Sequence, residues 1–262
     1  KGCKVFLVTH APFVEGNITR STAATLAVKF YDKFIGPRTL NKFNKILTIS
    51  NWEEPYLLDL GAMKEKIEYI PNGIPEEFYK QKKSKEQNKI LFLGRVAPKK
   101  KLDTLIEAIS LIKDKKIIAE IVGPPEEEYL SSLKELVKKL NLENRAVFSP
   151  AIYDVKEKIK KLDSAKIYVL PSRVEGMPQS LIEAMAREKI VIGSDSIAIR
   201  DLISNGKNGF LFNFNNPQDL AKKIDLALSL KNKEIKKEAR KFVEKFSWDK
   251  VIDKIEKVIL NK

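Results

Sequence analysis

Short apolar runs recur along most of this chain, and segments of helical period separate them. This alternation limits the possible fold more than any other feature. Residues 5–8, 45–49, 67–70, 90–93, 116–122, 146–148, 167–170, 189–192 and 209–212 read as strands. Residues 19–34, 102–112, 126–140, 155–162 and 178–187 read as helices. Strands that are apolar on consecutive residues are covered on both faces, and the intervening helices supply that cover. The pattern predicts α/β architecture with a doubly wound parallel sheet. Such sheets bind ligands at the carboxyl ends of their strands, near helix N-termini.

Turn residues divide the series. Pro71-Asn72-Gly73-Ile74-Pro75 interrupts it, and the polar stretch Lys80-Gln81-Lys82-Lys83-Ser84-Lys85 follows. The reading is a first domain at 1–76, a linker at 77–89, a complete Rossmann-like domain at 90–246, and a terminal helix at 247–262. Val251, Ile252, Ile255, Val258 and Ile259 give that last helix an apolar face, suited to packing back on the first domain. The first domain opens inside a strand, so the expectation is a partial Rossmann-like domain with further sequence upstream.

A length of 262 residues with 43% hydrophobic content supports packed α/β domains and argues against wholesale disorder. The sequence has no apolar run of membrane-spanning length. Cys3 is the single cysteine, which excludes an intrachain disulfide and any cysteine-cluster metal site. A reducing, cytoplasmic setting is the expectation. The net charge of +14 reads as a lysine-rich solvated surface or as attraction to anionic lipid, that is, peripheral contact at the inner face of a membrane. Nucleic acid is not expected, because no RNP-like aromatic strand or zinc-finger spacing accompanies the charge.

Two stretches carry chemistry. In the first, Pro171 to Ala186, a strand end runs through Glu175 and Gly176 into Met177, Pro178, Gln179 and Ser180 and then a helix. Free amides at that helix start suit a phosphate or sugar hydroxyls. Glu183 falls within the helix, between Ile182 and Ala184-Met185. On residue type alone, Glu175 also reads as a helix-start acid and Glu183 as a surface residue. In the second stretch, Gly94 ends a strand, and Arg95 and Lys100 follow. Fixed cations there suit a diphosphate leaving group; Lys99 and Lys101 read as solvated surface. His10, the single histidine, follows the first strand and reads as structural or exposed.

Glu175-x7-Glu183, with Asp195 and Asn208-Gly209 beyond it, resembles the signature of retaining glycosyltransferases of the GT-B fold, family 4 (glycosyl transferases group 1). Gly94-Arg95 with Lys100 resembles the same family's Gly-Arg segment. The resemblance implies that Glu175 lies by the donor sugar, that Glu183 binds the ribose, and that Arg95 and Lys100 hold the diphosphate. It places Gly123 near the donor, Ile152 by the base, and His10 facing the sugar or acceptor. It implies a nucleotide diphosphate sugar as donor, a glycan or lipid-linked acceptor, no cofactor and no metal; no Asp-x-Asp pair occurs. The chain departs from the family at Lys101, where a glycine is usual, at Gly123-Pro124-Pro125 in place of Gly-Asp-Gly, and at Ile197-Ala198 in place of paired glycines. Two other readings stay open: a glycoside hydrolase using Glu175 and Glu183, and a donor-binding module that needs upstream sequence to transfer.

Overall fold

The computed structural model describes residues 3–10, 21–80, 85–230 and 233–260. The chain forms two compact units, residues 1–73 with 249–262, and residues 74–248.

The smaller unit contains β1 (Phe6–Thr9), α1 (Thr22–Phe30), a π-helical turn (Tyr31–Ile35), α2 (Gly36–Leu40), β2 (Lys45–Thr48), α3 (Glu53–Asp59) and β3 (Ile67–Tyr69). The strands form a parallel sheet in the order β1-β2-β3. Successive side chains of β2 point to opposite faces. Ile46 packs with Leu57 and Ala62 on one face. Leu47 packs on the other with Ile70 and with Val251, Ile255 and Val258 of the terminal helix (Trp248–Leu260). Those three helix positions share one stripe at helical spacing. α1 differs, because none of its residues is buried. The helix read at 19–34 also ends sooner, at Phe30, before the π-helical turn; residues 19 and 20 lie outside the described residues. Pro37 has no N–H to offer the preceding turn, so a regular ladder cannot run on through it.

The larger unit contains β4 (Lys89–Leu93), α4 (Leu102–Leu111), β5 (Ile118–Val122), α5 (Glu127–Lys139), β6 (Ala146–Ser149), α6 (Val155–Ser164), β7 (Ile167–Leu170), α7 (Gln179–Ala186), β8 (Ile190–Ser194), α8 (Ile197–Arg200), β9 (Phe210–Phe212), α9 (Pro217–Ser229) and α10 (Lys233–Val243). Its six strands are all parallel, in the order β6-β5-β4-β7-β8-β9. The chain builds outward from β4 to β6, returns, and builds outward again from β7 to β9. The direction reverses between β4 and β7, and a crevice opens there beyond the strand ends.

α9 and α10 were not expected from the sequence. α9 carries a readable start: Asn216 caps it by accepting from Asp219 N, and Pro217 stands at the first position. α10 is rich in lysine and glutamate and buries Ala239 and Val243. Strand β5 also carries a charge inside its apolar run. Glu120 accepts from Lys161 at 2.7 Å, Lys89 at 2.8 Å and Ser149 at 2.7 Å. Burial alone would raise its carboxyl, but these hydrogen bonds bring it down to about 2.

Residues 77–80, read as the start of a linker, pack into the larger unit. Phe78 is fully buried, and the Tyr79 hydroxyl donates to the Val243 carbonyl at 2.7 Å. Arg187 forms a two-pronged pair with Asp163, both contacts at 2.8 Å, and donates to the Phe78 carbonyl at 3.1 Å. Lys189, fully buried, pairs with Glu86 at 2.9 Å.

Candidate functional site

The crevice between β4 and β7 holds a cavity of about 270 Å³. Its wall is built from the loops at the carboxyl ends of four strands. After β4 come Gly94, Arg95 and Lys100; after β5, Gly123 and Pro124; after β6, Ala151, Ile152 and Tyr153; after β7, Glu175 and Met177. Pro178, Gln179, Ser180 and Glu183 complete it from the start of α7, and Lys158 from α6.

Backbone packing fixes the first two loops. Gly94 N donates to the Val122 carbonyl at 3.0 Å, and Val96 N to the Pro124 carbonyl at 2.9 Å. A Cβ on Gly123 would lie 1.9 Å from the Gly94 carbonyl oxygen, so glycine alone fits there. The β7 loop is tied in by Arg173 N, which donates to the Lys99 carbonyl at 2.9 Å. Tyr168, fully buried in β7, places its hydroxyl 2.6 Å from Ser180 Oγ and 3.3 Å from the Leu93 carbonyl oxygen. It joins the start of α7 to the end of β4 across the crevice. Burial pushes the Tyr168 hydroxyl well above its ordinary range, so it stays a neutral donor.

Pro178 occupies the cap position of α7 rather than the first helical position expected. The Leu181 and Ile182 amides both reach the Pro178 carbonyl, at 3.1 and 3.3 Å. The Gln179 and Ser180 amides precede those bonds and have no acceptor within the helix. They form the positive end of the helix dipole.

Two ion pairs define the electrostatics. Lys100 Nζ donates to Glu175 Oε1 at 2.6 Å, with both side chains mostly buried. Lys158 Nζ donates to Glu183 Oε1 at 2.9 Å. The second oxygen of Glu183 is buried and has no partner, as is Nε2 of Gln179. Burial raises the Glu183 carboxyl, and Lys158 offsets part of that. Arg95 is exposed at the cavity.

Most residues singled out in the sequence therefore lie on one wall. Gly176 belongs to the same loop without lining the cavity, and His10 is exposed at the end of β1 in the smaller unit. Lys158, Tyr153 and Tyr168 were missed. Lys158 shares the inward stripe of α6 with Val155, Ile159 and Leu162, an odd place for a lysine and a usable signal. Tyr168 stands in an aliphatic strand, where a buried hydroxyl must find a partner. Lys101 adopts a left-handed backbone with φ of 49°, which explains why a glycine is usual there. Among the described residues, no group of three or more His, Cys, Asp or Glu is placed to hold a metal ion.

The family model described as glycosyl transferases group 1 matches residues 73–245. The chain belongs to this family. An uncharacterized glycosyltransferase of Methanocaldococcus jannaschii, MJ1178, is 30% identical over 219 residues, covering 82% of this chain and 59% of that protein. The poly(ribitol-phosphate) alpha-N-acetylglucosaminyltransferase of Staphylococcus aureus is 28% identical over 240 residues, covering 88% of this chain and 46% of that protein. The chain thus spans about half the length of the curated relatives it matches. Anabaena HepE, solved in complex with UDP and glucose, superposes with a TM-score of 0.82 at 20% identity, over 99% of this chain and 72% of that one. The fold of this group 1 family member is α/β of the GT-B type.

Proposed function

We propose that this chain binds a nucleotide diphosphate sugar in the cavity between β4 and β7 and transfers the sugar, with retention, to a glycan or lipid-linked acceptor. The observation that carries the reading is the free, buried oxygen of Glu183 on a wall that also bears cations. A buried acceptor without a donor is costly, and ribose hydroxyls supply donors. Arg95, Lys100 and the Gln179 and Ser180 amides face the diphosphate. When the sugar–phosphate bond breaks, the electron pair and negative charge go to the diphosphate, and these fixed donors stabilise it. We infer that they do so without a metal, which unchanged turnover in a chelator tests. Glu175 pairs with Lys100. The diphosphate draws that lysine away and leaves Glu175 to orient the sugar. The acceptor hydroxyl attacks from the face the phosphate leaves, and the leaving phosphate takes its proton. His10 serves the acceptor side. The HepE complex with UDP-glucose and the S. aureus poly(ribitol-phosphate) alpha-N-acetylglucosaminyltransferase support this reading by analogy.

A thermal-shift screen against UDP, GDP, ADP and their sugars identifies the donor. Glu183→Ala and Lys100→Ala each weaken binding of that nucleoside diphosphate by about tenfold or more in calorimetry. Unchanged affinity in both would overturn the reading.

On the acceptor side, we infer peripheral contact with anionic lipid at the cytoplasmic face of a membrane. Leu26, Phe30 and Phe34 are exposed on α1 and the turn after it, beside Lys29 and Lys33, in a chain of net charge +14. No described helix is long and apolar enough to cross a membrane. Flotation with phosphatidylglycerol vesicles but not phosphatidylcholine vesicles is the expected outcome.

A further inference from the structure

We propose that Lys158 is a positioning residue for the nucleotide: it holds one oxygen of Glu183 so that the other is presented to the ribose as a fixed anion. This rests on the reading of Glu183 as ribose acceptor and extends it to a residue outside both motifs.

The geometry divides the Glu183 carboxylate in two. Oε1 is taken by Lys158 Nζ at 2.9 Å, and Oε2 is buried with no partner. The lysine arrives from α6, 25 positions earlier in the chain, on the stripe that faces inward. Its ammonium also lies 5.8 Å from the centre of the Phe78 ring, a second contact that fixes its direction. Glu183 is 8% exposed and Lys158 27%. A carboxylate so buried, beside Leu181, Ile182 and Met185 on its own helix, loses most of its hydration. Without a cation it would tend to take a proton and turn freely between rotamers.

The other charged groups near α7 are occupied elsewhere or lie apart. Lys100 is held by Glu175. At the far end of α7, Arg187 is held by Asp163, and Arg240 donates to the Ala186 carbonyl. On the turn that packs against α7, Glu76 and Glu77 carry the opposite sign. Tyr168 of β7 stays neutral. Among the described residues, Lys158 is the charged group that acts on Glu183, opposing the rise that burial causes.

The pH dependence follows. Affinity that needs the Glu183 anion is lost as pH falls through its titration. Removing Lys158 raises that titration, so the loss begins at higher pH. A merely structural lysine would not move the profile, and a phosphate-binding lysine would not distinguish ribose from a sugar lacking hydroxyls.

The test titrates UDP, GDP and ADP, with their 2′,3′-dideoxy counterparts, into the wild-type chain, Lys158→Met, Lys158→Arg and Glu183→Gln, from about pH 6 to about pH 9. Lys158→Met weakens the ribonucleotide roughly tenfold near neutral pH. It recovers at the alkaline end, and the preference for ribose over dideoxyribose shrinks. Lys158→Arg retains wild-type behaviour. Should Lys158→Met leave a carboxylate too costly to fold, Lys158→Met with Glu183→Gln removes both charges, and it binds no worse than Glu183→Gln alone. If Glu183→Gln weakens binding while Lys158→Met changes neither affinity nor pH profile, the inference fails and the Glu183 reading stands. If Lys158→Met weakens ribo- and dideoxynucleotides equally, the lysine serves the phosphates and the inference is overturned. If Glu183→Gln changes nothing, or none of the three diphosphates binds, the reading of Glu183 fails and takes the inference with it.

Discussion

In the larger unit every residue of β7 and β8 is buried, whereas in the smaller unit β1 keeps Val8 about half exposed and α1 buries nothing. The sequences of these strands are equally apolar. The difference lies in their place. β7 and β8 sit inside a six-stranded sheet, and β1 stands at the edge of a three-stranded one. An apolar run states a capacity for burial, and the neighbours decide how much of it is used. The larger unit also buries ion pairs, Arg187 with Asp163 and Lys189 with Glu86, while the smaller buries one carboxyl, Glu53, which accepts from the Ile49 and Ser50 amides beside two modest apolar clusters.

The strongest challenge to this contrast is Arg187→Ala. It leaves Asp163 buried and unpaired, and a loss of about 3–5 kcal/mol is expected by urea denaturation. Arg187→Met combined with Asp163→Leu restores most of that, to within about 1 kcal/mol of wild type. A small loss from the single change would mean that water reaches Asp163. In the smaller unit, Leu57→Ala opens a cavity beside Ile46 and Ala62, with an expected loss of about 2–4 kcal/mol. Separate denaturation transitions for these two variants would show that the units unfold independently. One shared transition would show that they do not.

Lys101→Gly should raise the stability of the larger unit by about 0.5–1 kcal/mol, read as a higher Tm. The gain is the relief of a left-handed backbone, reduced by loss of the Lys101–Asp103 pair at 2.8 Å. The smallest effect belongs to Phe30→Ser on α1, expected within about 0.5 kcal/mol of wild type. A larger loss would show that this face is covered in solution and would erase the contrast.

Much of the larger unit was legible because its signals are local. Each strand from β4 to β9 is an apolar run, and Gly94-Arg95 with Lys100 and Glu175 with Glu183 are spacings within one loop or helix start. The readings that failed needed information from elsewhere. α9 and α10 carry thin apolar stripes among charges, so their burial depends on what lies beneath them. The π-helical turn after Phe30 and the left-handed Lys101 are backbone states that side-chain pattern does not encode. Lys158 belongs to no motif, and only the placement of α6 beside α7 brings it to Glu183.

The strand order also sets when this site comes into being. Lys100 and Glu175 are 75 positions apart, yet they meet because β7 inserts beside β4. A chain emerging from the ribosome through the loop after β6 already carries Arg95, Lys100, Gly123 and Ile152, but neither carboxylate. Closing so long a loop is slow compared with forming one strand–helix hairpin. On the proposed reading, nucleotide capture arrives as a late, all-at-once property of the nascent chain, and a donor analogue added during synthesis would protect only polypeptides that have passed α7.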